Sequence, residues 1–290
     1  MELLPLRAEH TAWLQERIDV DPARHAFLQS LLAMTGTAAV SSAVGTLYAW
    51  FEDGQPRSAY WIGTSIMSVD PTPRSNAAVA EVLNRRGRYS CSLIGEARSM
   101  LDLNSRLNWG SPRGVRPAQP LMVADREPLV DPDPRVRPGD PGDLPATFAA
   151  SVRMFTEEVG FSPLENGGNY QQRVRNLLDS NNTLLFTTAK APDGGTLRRW
   201  PAASVAEQVV FKADLGIRSA KAVQIQGVWV HPDFRGRGIA APAMVAVTRW
   251  VQENVSPVVS LYVNDFNDRA RRAYEKAGYS QTGTFATVMY

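Results

Sequence analysis

A short proline-rich stretch divides this chain of 290 residues into two parts. Six prolines lie between Pro128 and Pro145, and proline interrupts helices and central strands because it lacks a backbone N–H. A chain of this length also exceeds what one ordinary hydrophobic core requires. We therefore predict an N-terminal domain over 1–127, a proline-rich linker over 128–145 that includes the first strand of the next domain, and a C-terminal domain over 146–290.

The charge balance and the cysteine count exclude several classes of partner. Lysine and arginine total 31 against 29 acidic residues, a net charge of +2, so no overall field attracts nucleic acid or an anionic membrane. One cysteine and three histidines predict neither a disulfide framework nor a metal site. The first ten residues lack the pattern of a signal peptide, and polar residues interrupt the uncharged stretch 26–51. We expect a cytoplasmic protein without nucleic-acid or membrane partners.

Both halves of the chain predict the same order of elements, β-α-α-β-β-β-α-β-α-β. The chain is predicted to close with a hairpin of strands Tyr279–Thr282 and Thr284–Tyr290. No residue-level repeat relates the halves, so a duplicated fold is inferred from the element order alone. Two unrelated α/β domains are the alternative.

The most informative strand is predicted over Val223–Val230, and its alternation changes phase. Val223 and Ile225 set one phase, whereas Val228 and Val230 set the other. A strand changes phase where an extra residue is inserted, so we predict a β-bulge at Gly227, which lies between the two pairs. Such a bulge leaves backbone groups open to an extended ligand. Two irregular half-strands that meet at a glycine are the alternative.

A loop of small residues with two arginines follows this strand and leads into a helix. From Arg235 to Ala240 the sequence reads RGRGIA, so backbone N–H groups at the helix start are accessible to a phosphate. A dinucleotide-binding fingerprint also contains such glycines, but its first glycine directly follows the strand. Here residues 231–235 intervene, which disfavours a dinucleotide site.

Arg235-x-x-Gly238-x-Ala240 resembles the acyl-coenzyme-A-binding motif of the GNAT N-acetyltransferase superfamily. A second segment agrees, because members of that family carry Asn, Ala and Tyr on a later helix, followed by Gly-Phe. The corresponding residues in this chain are Asn267, Ala270, Tyr274, Gly278 and Tyr279. The resemblance covers about 135–290, and the whole chain looks like two-domain actinobacterial GNAT proteins with an uncharacterised N-terminal domain.

The resemblance implies an α/β (α+β) fold of tandem GNAT-like domains. Each would be a mixed, mostly antiparallel sheet flanked by helices, with a splayed, bulged central strand in the C-terminal copy. It also implies an N-acyltransferase that moves an acetyl group from acetyl-CoA to a primary amine of a small molecule or a protein by direct attack, without a metal. The implied coenzyme-binding residues are Val228, Trp229, Val230, Arg235, Gly236, Arg237, Gly238, Ile239, Ala240 and Asn267.

By the same resemblance Tyr274 is the general acid that protonates the departing thiolate. A core tyrosine with a hydrogen-bonded hydroxyl is the alternative. The general base is open, since Gln224 and Gln226 stand where many members carry glutamate. Candidate bases are Glu157, Glu158, Asp214, a water chain and the C-terminal carboxylate of Tyr290.

Two further segments bear on the acceptor and on the number of sites. The acceptor is expected over 156–170, where three glutamates attract an ammonium group or form a solvated acidic surface. His231 is interpreted as the first residue of a loop rather than a catalytic base. In the N-terminal half the corresponding turn, Val69–Asn76, has no glycine and carries an acid, so that copy is expected not to bind coenzyme A well. A non-catalytic acyl-CoA sensor is the alternative function.

Overall fold

A computed structural model describes residues 2–165, 169–188 and 208–290. The chain forms two compact units, and neither corresponds to a single continuous segment. The first unit contains Met1–Val123, Tyr262–Asp268 and Gln281–Tyr290. The second contains Ala124–Leu261 and Arg269–Ser280. The C-terminal strand therefore belongs largely to the N-terminal unit.

The first unit begins with a strand and two helices and continues with strands and helices in alternation. Its elements are β1 (Glu2–Pro5), α1 (Thr11–Asp19), α2 (Ala26–Thr35), β2 (Ser41–Ser42), β3 (Gly45–Glu52), β4 (Gln55–Gly63), β5 (Ser65–Val69), α3 (Pro73–Arg86), β6 (Ser92–Glu96), α4 (Ala97–Ser105) and β7 (Gly114–Ala124). A 3-10 turn over Ala8–His10 precedes α1.

The second unit repeats this order. Its elements are β8 (Arg137–Pro138), α5 (Leu144–Val159), α6 (Tyr170–Asp179), β9 (Thr183–Thr187), β10 (Val209–Arg218), β11 (Val223–Val230), α7 (Ala240–Asn254), β12 (Val259–Tyr262) and α8 (Asp268–Lys276). The last strand, β13 (Tyr279–Met289), has its first two residues in this unit and the rest in the first unit. Short 3-10 turns cover Pro141–Asp143 and Pro232–Phe234.

Strand pairing follows the same pattern in both units. In the first unit β1, β3, β4 and β5 pair antiparallel in that order, and β5 pairs with β6 in parallel. In the second unit β8, β9, β10 and β11 pair antiparallel, and β11 pairs with β12 in parallel. The predicted mixed, mostly antiparallel sheet flanked by helices is confirmed, and the equal element order and pairing fit the predicted duplication.

Helices cover both faces of each sheet with apolar side chains. In the first unit, α1 and α2 contribute Leu14, Ile18 and Leu31 to one core, and α3 and α4 contribute Val79 and Met100 to another. In the second unit α5 and α6 pack on β9 around Leu144, Val174, Leu178 and Leu185. Burial of this apolar area is the main favourable contribution to folding of each unit.

β11 contains the predicted bulge and separates from its parallel neighbour. Lys212 on β10 is opposite Trp229, whereas Asp214 is opposite Gln226, so three steps along β11 correspond to two along β10. Gly227 lies within this shift with φ of +58°. Pairing with β12 is restricted to Val223 and Gln224 within the described residues. The remainder of β11 is therefore splayed away from β12, as the sequence predicted.

The predicted C-terminal hairpin is wrong. Residues Tyr279–Met289 form one strand, and Phe285–Met289 pair antiparallel with β6 in the first unit. Common hairpin turns require two residues, with positive φ in at least one of them. The predicted loop offered Gly283 alone, and this residue is not among the positive-φ glycines. The chain consequently continues in an extended conformation.

The uncharged stretch 26–51 does not form one long helix. It contains α2, which ends at a left-handed Gly36, followed by β2 and most of β3. Among the described residues, no helix combines the length and apolar character needed to cross a membrane.

Candidate functional site

The bulge of β11 is surrounded by buried charged groups. The Lys212 ammonium lies 2.6 Å from Asp214 Oδ2 and donates to the Gly227 carbonyl oxygen at 3.3 Å. Thr183 donates its hydroxyl to Asp214 Oδ1 at 2.8 Å. The Lys212 side chain is fully buried. Sequence reasoning listed Asp214 as a candidate base but missed Lys212, although their i, i+2 spacing on a strand predicts a shared face.

Gly227 is required at the bulge for two reasons. Its backbone adopts a left-handed conformation, with φ of +58°, which side chains other than glycine rarely tolerate. A Cβ at this position would also lie 2.6 Å from Asp214 Oδ2. The bulge and the charged pair therefore depend on each other sterically.

The loop after β11 leads directly into the N-terminus of α7. Gly236 and Gly238 have φ of +81° and +76°, which explains why glycines stand at these positions. A Cβ on Gly238 would meet nothing within 4 Å, so this side of the loop is open to a ligand.

No side chain caps the N-terminus of α7, whose N-cap residue is Ile239. The first N–H groups of a helix have no partner within the helix, and together with the helix dipole they favour an anion. Pro242 in the first turn lacks such a donor, so Ala240 and Ala241 provide the N–H groups at this end. The open loop and the uncapped helix fit a phosphate-bearing ligand.

The arginines of the loop differ in their contacts. Arg235 donates from Nη2 to Glu157 Oε2 at 2.6 Å and from Nε to the Val230 carbonyl oxygen at 2.9 Å. Arg237 lies over the Phe234 ring, 5.3 Å from its centroid. Arg269 on α8 approaches within 3.9 Å of where a Cβ of Gly236 would lie. Arg269 was not singled out from the sequence, since its motif identified Asn267 and Tyr274.

Three side chains contact Glu157 on α5: Trp229 and Arg235 from the end of β11 and its loop, and Arg153 from α5 itself. Its Oε2 accepts hydrogen bonds from Arg235 and, at 3.3 Å, from Trp229 Nε1, and its Oε1 lies 3.8 Å from Arg153. Trp229 is otherwise buried against α5, where Ala146, Ala150 and Met154 belong to the same cluster. The carboxylate of Glu157 therefore links α5 to the loop.

Tyr274 on α8 is buried and lies beside Tyr279, with ring centroids 6.0 Å apart. Burial raises the pKa of the Tyr274 hydroxyl, and Tyr279 and the Glu158 carboxylate add to this rise. The Tyr279 hydroxyl is hydrogen-bonded to Thr248 Oγ1 at 2.8 Å. By contrast, no hydrogen bond to the Tyr274 hydroxyl is found among the described residues, and this hydroxyl is protonated at neutral pH.

His231 lies at the end of β11, where its Nδ1 accepts from the Asp233 N–H at 3.3 Å. Its Nε2 lies 3.2 Å from Arg153 Nη1. Burial lowers the pKa of His231; Asp233 opposes this shift, whereas Arg153 and Arg235 reinforce it. The ring is therefore neutral at pH 7 and connects the loop to α5, in keeping with its interpretation as the first residue of a loop.

Asn267 and Tyr290 are candidates that lie in segments of the first unit. Asn267 directly precedes α8 and belongs to 262–268, so its contact with the coenzyme stays a prediction. Tyr290 donates its hydroxyl to Asn104 Oδ1 at 2.7 Å.

The turn between β5 and α3 in the first unit corresponds to the loop between β11 and α7. It differs from that loop in the cap of the following helix and in the register of the preceding strand. Thr72 Oγ1 accepts from the Ser75 N–H at 3.1 Å, and Ser75 Oγ accepts from the Thr72 N–H at 2.8 Å, so side chains cap α3. The register between β4 and β5 continues without a shift from Ala59 to Ile62. At this turn the first unit therefore has neither an uncapped helix nor a bulged strand like β11.

Two protein families match separate parts of the chain. Residues 45–147 match a domain of unknown function, DUF4081, and residues 162–279 match the acetyltransferase (GNAT) family. A mycothiol acetyltransferase from Nocardiopsis dassonvillei is 28% identical over 181 residues, which cover 62% of this chain and 52% of the relative. The match therefore spans about half the length of this curated relative.

Solved structures resemble the fold over nearly the whole chain. A Drosophila protein has a TM-score of 0.60 at 12% identity and covers 99% of this chain and 98% of its own. A GCN5-related N-acetyltransferase from Sphaerobacter thermophilus has a TM-score of 0.55 at 16% identity, with 100% and 95% covered. These likenesses show the fold, and within it residues 162–279 are similar to the acetyltransferase (GNAT) family and residues 45–147 to DUF4081.

Proposed function

We propose that the second unit transfers an acetyl group from acetyl-CoA to a primary amine. The observation that supports this most directly is the uncapped N-terminus of α7, which follows two left-handed glycines and the bulged end of β11. A helix terminus contributes about 0.3–2 kcal/mol toward an anion, whereas micromolar binding requires about 8 kcal/mol. The pantetheine arm must therefore contribute as well, along the backbone of Val228–Val230.

In this proposal acetyl-CoA supplies the acyl group and a thiolate leaving group. The amine nitrogen forms a bond to the acyl carbon, the carbon–sulfur bond breaks, and no covalent enzyme species forms. A backbone N–H at the bulge polarises the acyl carbonyl. Tyr274 donates its proton to the departing sulfur; its hydroxyl is protonated at neutral pH and makes no hydrogen bond among the described residues.

Of the two candidate glutamates, we assign the base to Glu158. The Glu158 carboxylate contributes to the raised pKa of both Tyr274 and Tyr170, so its charge acts near the proposed general acid. Glu157 accepts hydrogen bonds from Arg235 and Trp229 and is assigned to holding the loop. Deprotonating a lysine-like amine with a pKa of about 10.4 at pH 7 costs about 4.6 kcal/mol, against about 1.4 kcal/mol for an α-amine near 8. A weak or distant base therefore favours an acceptor amine of low pKa.

One similar protein suggests which class of acceptor amine should be tested first. The relative from Nocardiopsis dassonvillei is named a mycothiol acetyltransferase, which suggests a small-molecule amine as the first acceptor to test. The cluster of Phe155, Phe161 and Tyr170 lies beside the α5 glutamates, and it would contact the apolar part of such a molecule.

The proposal is tested by measuring thiol release from acetyl-CoA with a panel of small-molecule amines and peptide N-termini. At least one amine should raise the rate above hydrolysis. The same assay on Glu158→Gln should show a lower kcat, whereas Glu157→Gln should mainly change coenzyme affinity through Arg235. Coenzyme binding without transfer to any amine would instead support the sensor function.

A further inference from the structure

The pair of charges at the bulge is not explained by stability. Lys212 and Asp214 lie 2.6 Å apart, and the lysine side chain is fully buried. Buried ion pairs cost so much desolvation that apolar replacements are often equally or more stable. Folding stability therefore does not explain why Lys212 and Asp214 are charged residues.

Lys212 contacts a peptide group of the bulge, where the register between β11 and β10 shifts. Lys212 is opposite Trp229 and Asp214 is opposite Gln226, so Gly227 and Val228 have no partner in that register. Lys212 Nζ is 3.3 Å from the Gly227 carbonyl oxygen. The Lys212 side chain thus contacts the peptide that joins Gly227 to Val228.

The direction of this carbonyl determines the direction of the next N–H. A trans peptide is planar, so its C=O and N–H point to opposite sides. Since the Gly227 carbonyl points toward Lys212, the Val228 N–H points away from it. Beyond Gln224, within the described residues, β11 is no longer paired with β12, which leaves space for a ligand beside this strand.

We propose that Lys212 and Asp214 are positioning residues that orient the Val228 N–H toward the acyl carbonyl of the bound thioester. This inference rests on the proposed function. Asp214 holds the ammonium, Thr183 holds Asp214 through its other oxygen, and the ammonium holds the Gly227 carbonyl. The absence of a side chain at Gly227 completes the arrangement, because a Cβ would collide with Asp214.

The orientation of the Val228 N–H toward the thioester can be tested without an acceptor amine. The measurement is infrared difference spectroscopy of bound acetyl-CoA that carries ¹³C at the thioester carbonyl. A hydrogen bond from Val228 lowers the carbonyl stretching frequency relative to free acetyl-CoA. In Lys212→Met the frequency should return toward the free value, with little change in the dissociation constant. The double variant Lys212→Met/Asp214→Asn should show the same return of the carbonyl frequency as Lys212→Met. It leaves no unpaired buried charge, and the introduced asparagine side chain still accepts the hydrogen bond from Thr183.

The matched control is a second short ion pair in the same unit. Arg135 and Asp133 are also 2.6 Å apart, with a buried aspartate, so Arg135→Gln/Asp133→Asn should leave the carbonyl frequency unchanged. A lowered frequency that persists in both Lys212 variants would overturn the positioning role and leave the proposed function intact. Failure of the wild-type protein to bind acetyl-CoA would overturn the proposed function itself.

Discussion

Acetyl-CoA binding is expected to weaken by about tenfold or more when Gly238 is replaced by glutamate. The substitution places a carboxylate beside the N-terminus of α7, where the pyrophosphate is proposed to lie. Two like charges about 4 Å apart repel by about 1–4 kcal/mol for effective dielectric constants between 80 and 20, and about 1.4 kcal/mol is a factor of ten. Isothermal titration calorimetry measures the change directly.

The control for this variant is Gly238→Gln, which has nearly the same shape without the charge. Both variants strain the backbone equally, because Gly238 has φ of +76°, and in both the Cβ meets no atom within 4 Å. The difference between them therefore reports charge alone. Equal affinities for the two folded variants would place the phosphate groups elsewhere.

Tyr274→Phe is expected to lower kcat by about 10²–10⁴-fold, the usual contribution of a general acid. The ring remains, so the packing of α8 against Tyr279 is preserved. Coenzyme affinity should change little, because the hydroxyl acts on the leaving thiolate in the transition state. Steady-state rates with an acceptor from the panel, measured beside thermal melts, test this expectation.

Tyr279→Phe provides the matched control, since Tyr279 is the neighbouring buried tyrosine. Its hydroxyl is hydrogen-bonded to Thr248, so its removal should cost about 0.5–1.5 kcal/mol of stability and leave turnover nearly intact. A Tyr274→Phe variant with a normal rate and a lowered melting temperature would show that Tyr274 is a structural residue.

Local patterns in the sequence predicted much of the fold and part of the candidate site. The strand Val223–Val230 and its bulge at Gly227 followed from a change in alternation. Such features depend on neighbouring residues along the chain. They could be predicted without knowledge of the tertiary structure.

Contacts between distant segments could not be predicted in this way. The pairing of Phe285–Met289 with β6 joins segments about two-thirds of the chain apart, and alternation in a strand does not identify its partner. The contact of Arg235 with Glu157 and that of Lys212 with Gly227 likewise depend on the packing of α5 and β10. The side-chain cap of α3 was missed, although Thr72 and Ser75 have the spacing of a capping box.

The stoichiometry of acetyl-CoA binding to the full chain tests the central claim most directly. The second unit has an uncapped α7 and a bulged strand, whereas side chains cap α3 in the first unit. Calorimetric titration should therefore give one site per chain, lost in Gly238→Glu. Two equivalent sites, or one that survives Gly238→Glu unchanged, would contradict the assignment of coenzyme binding to the second unit.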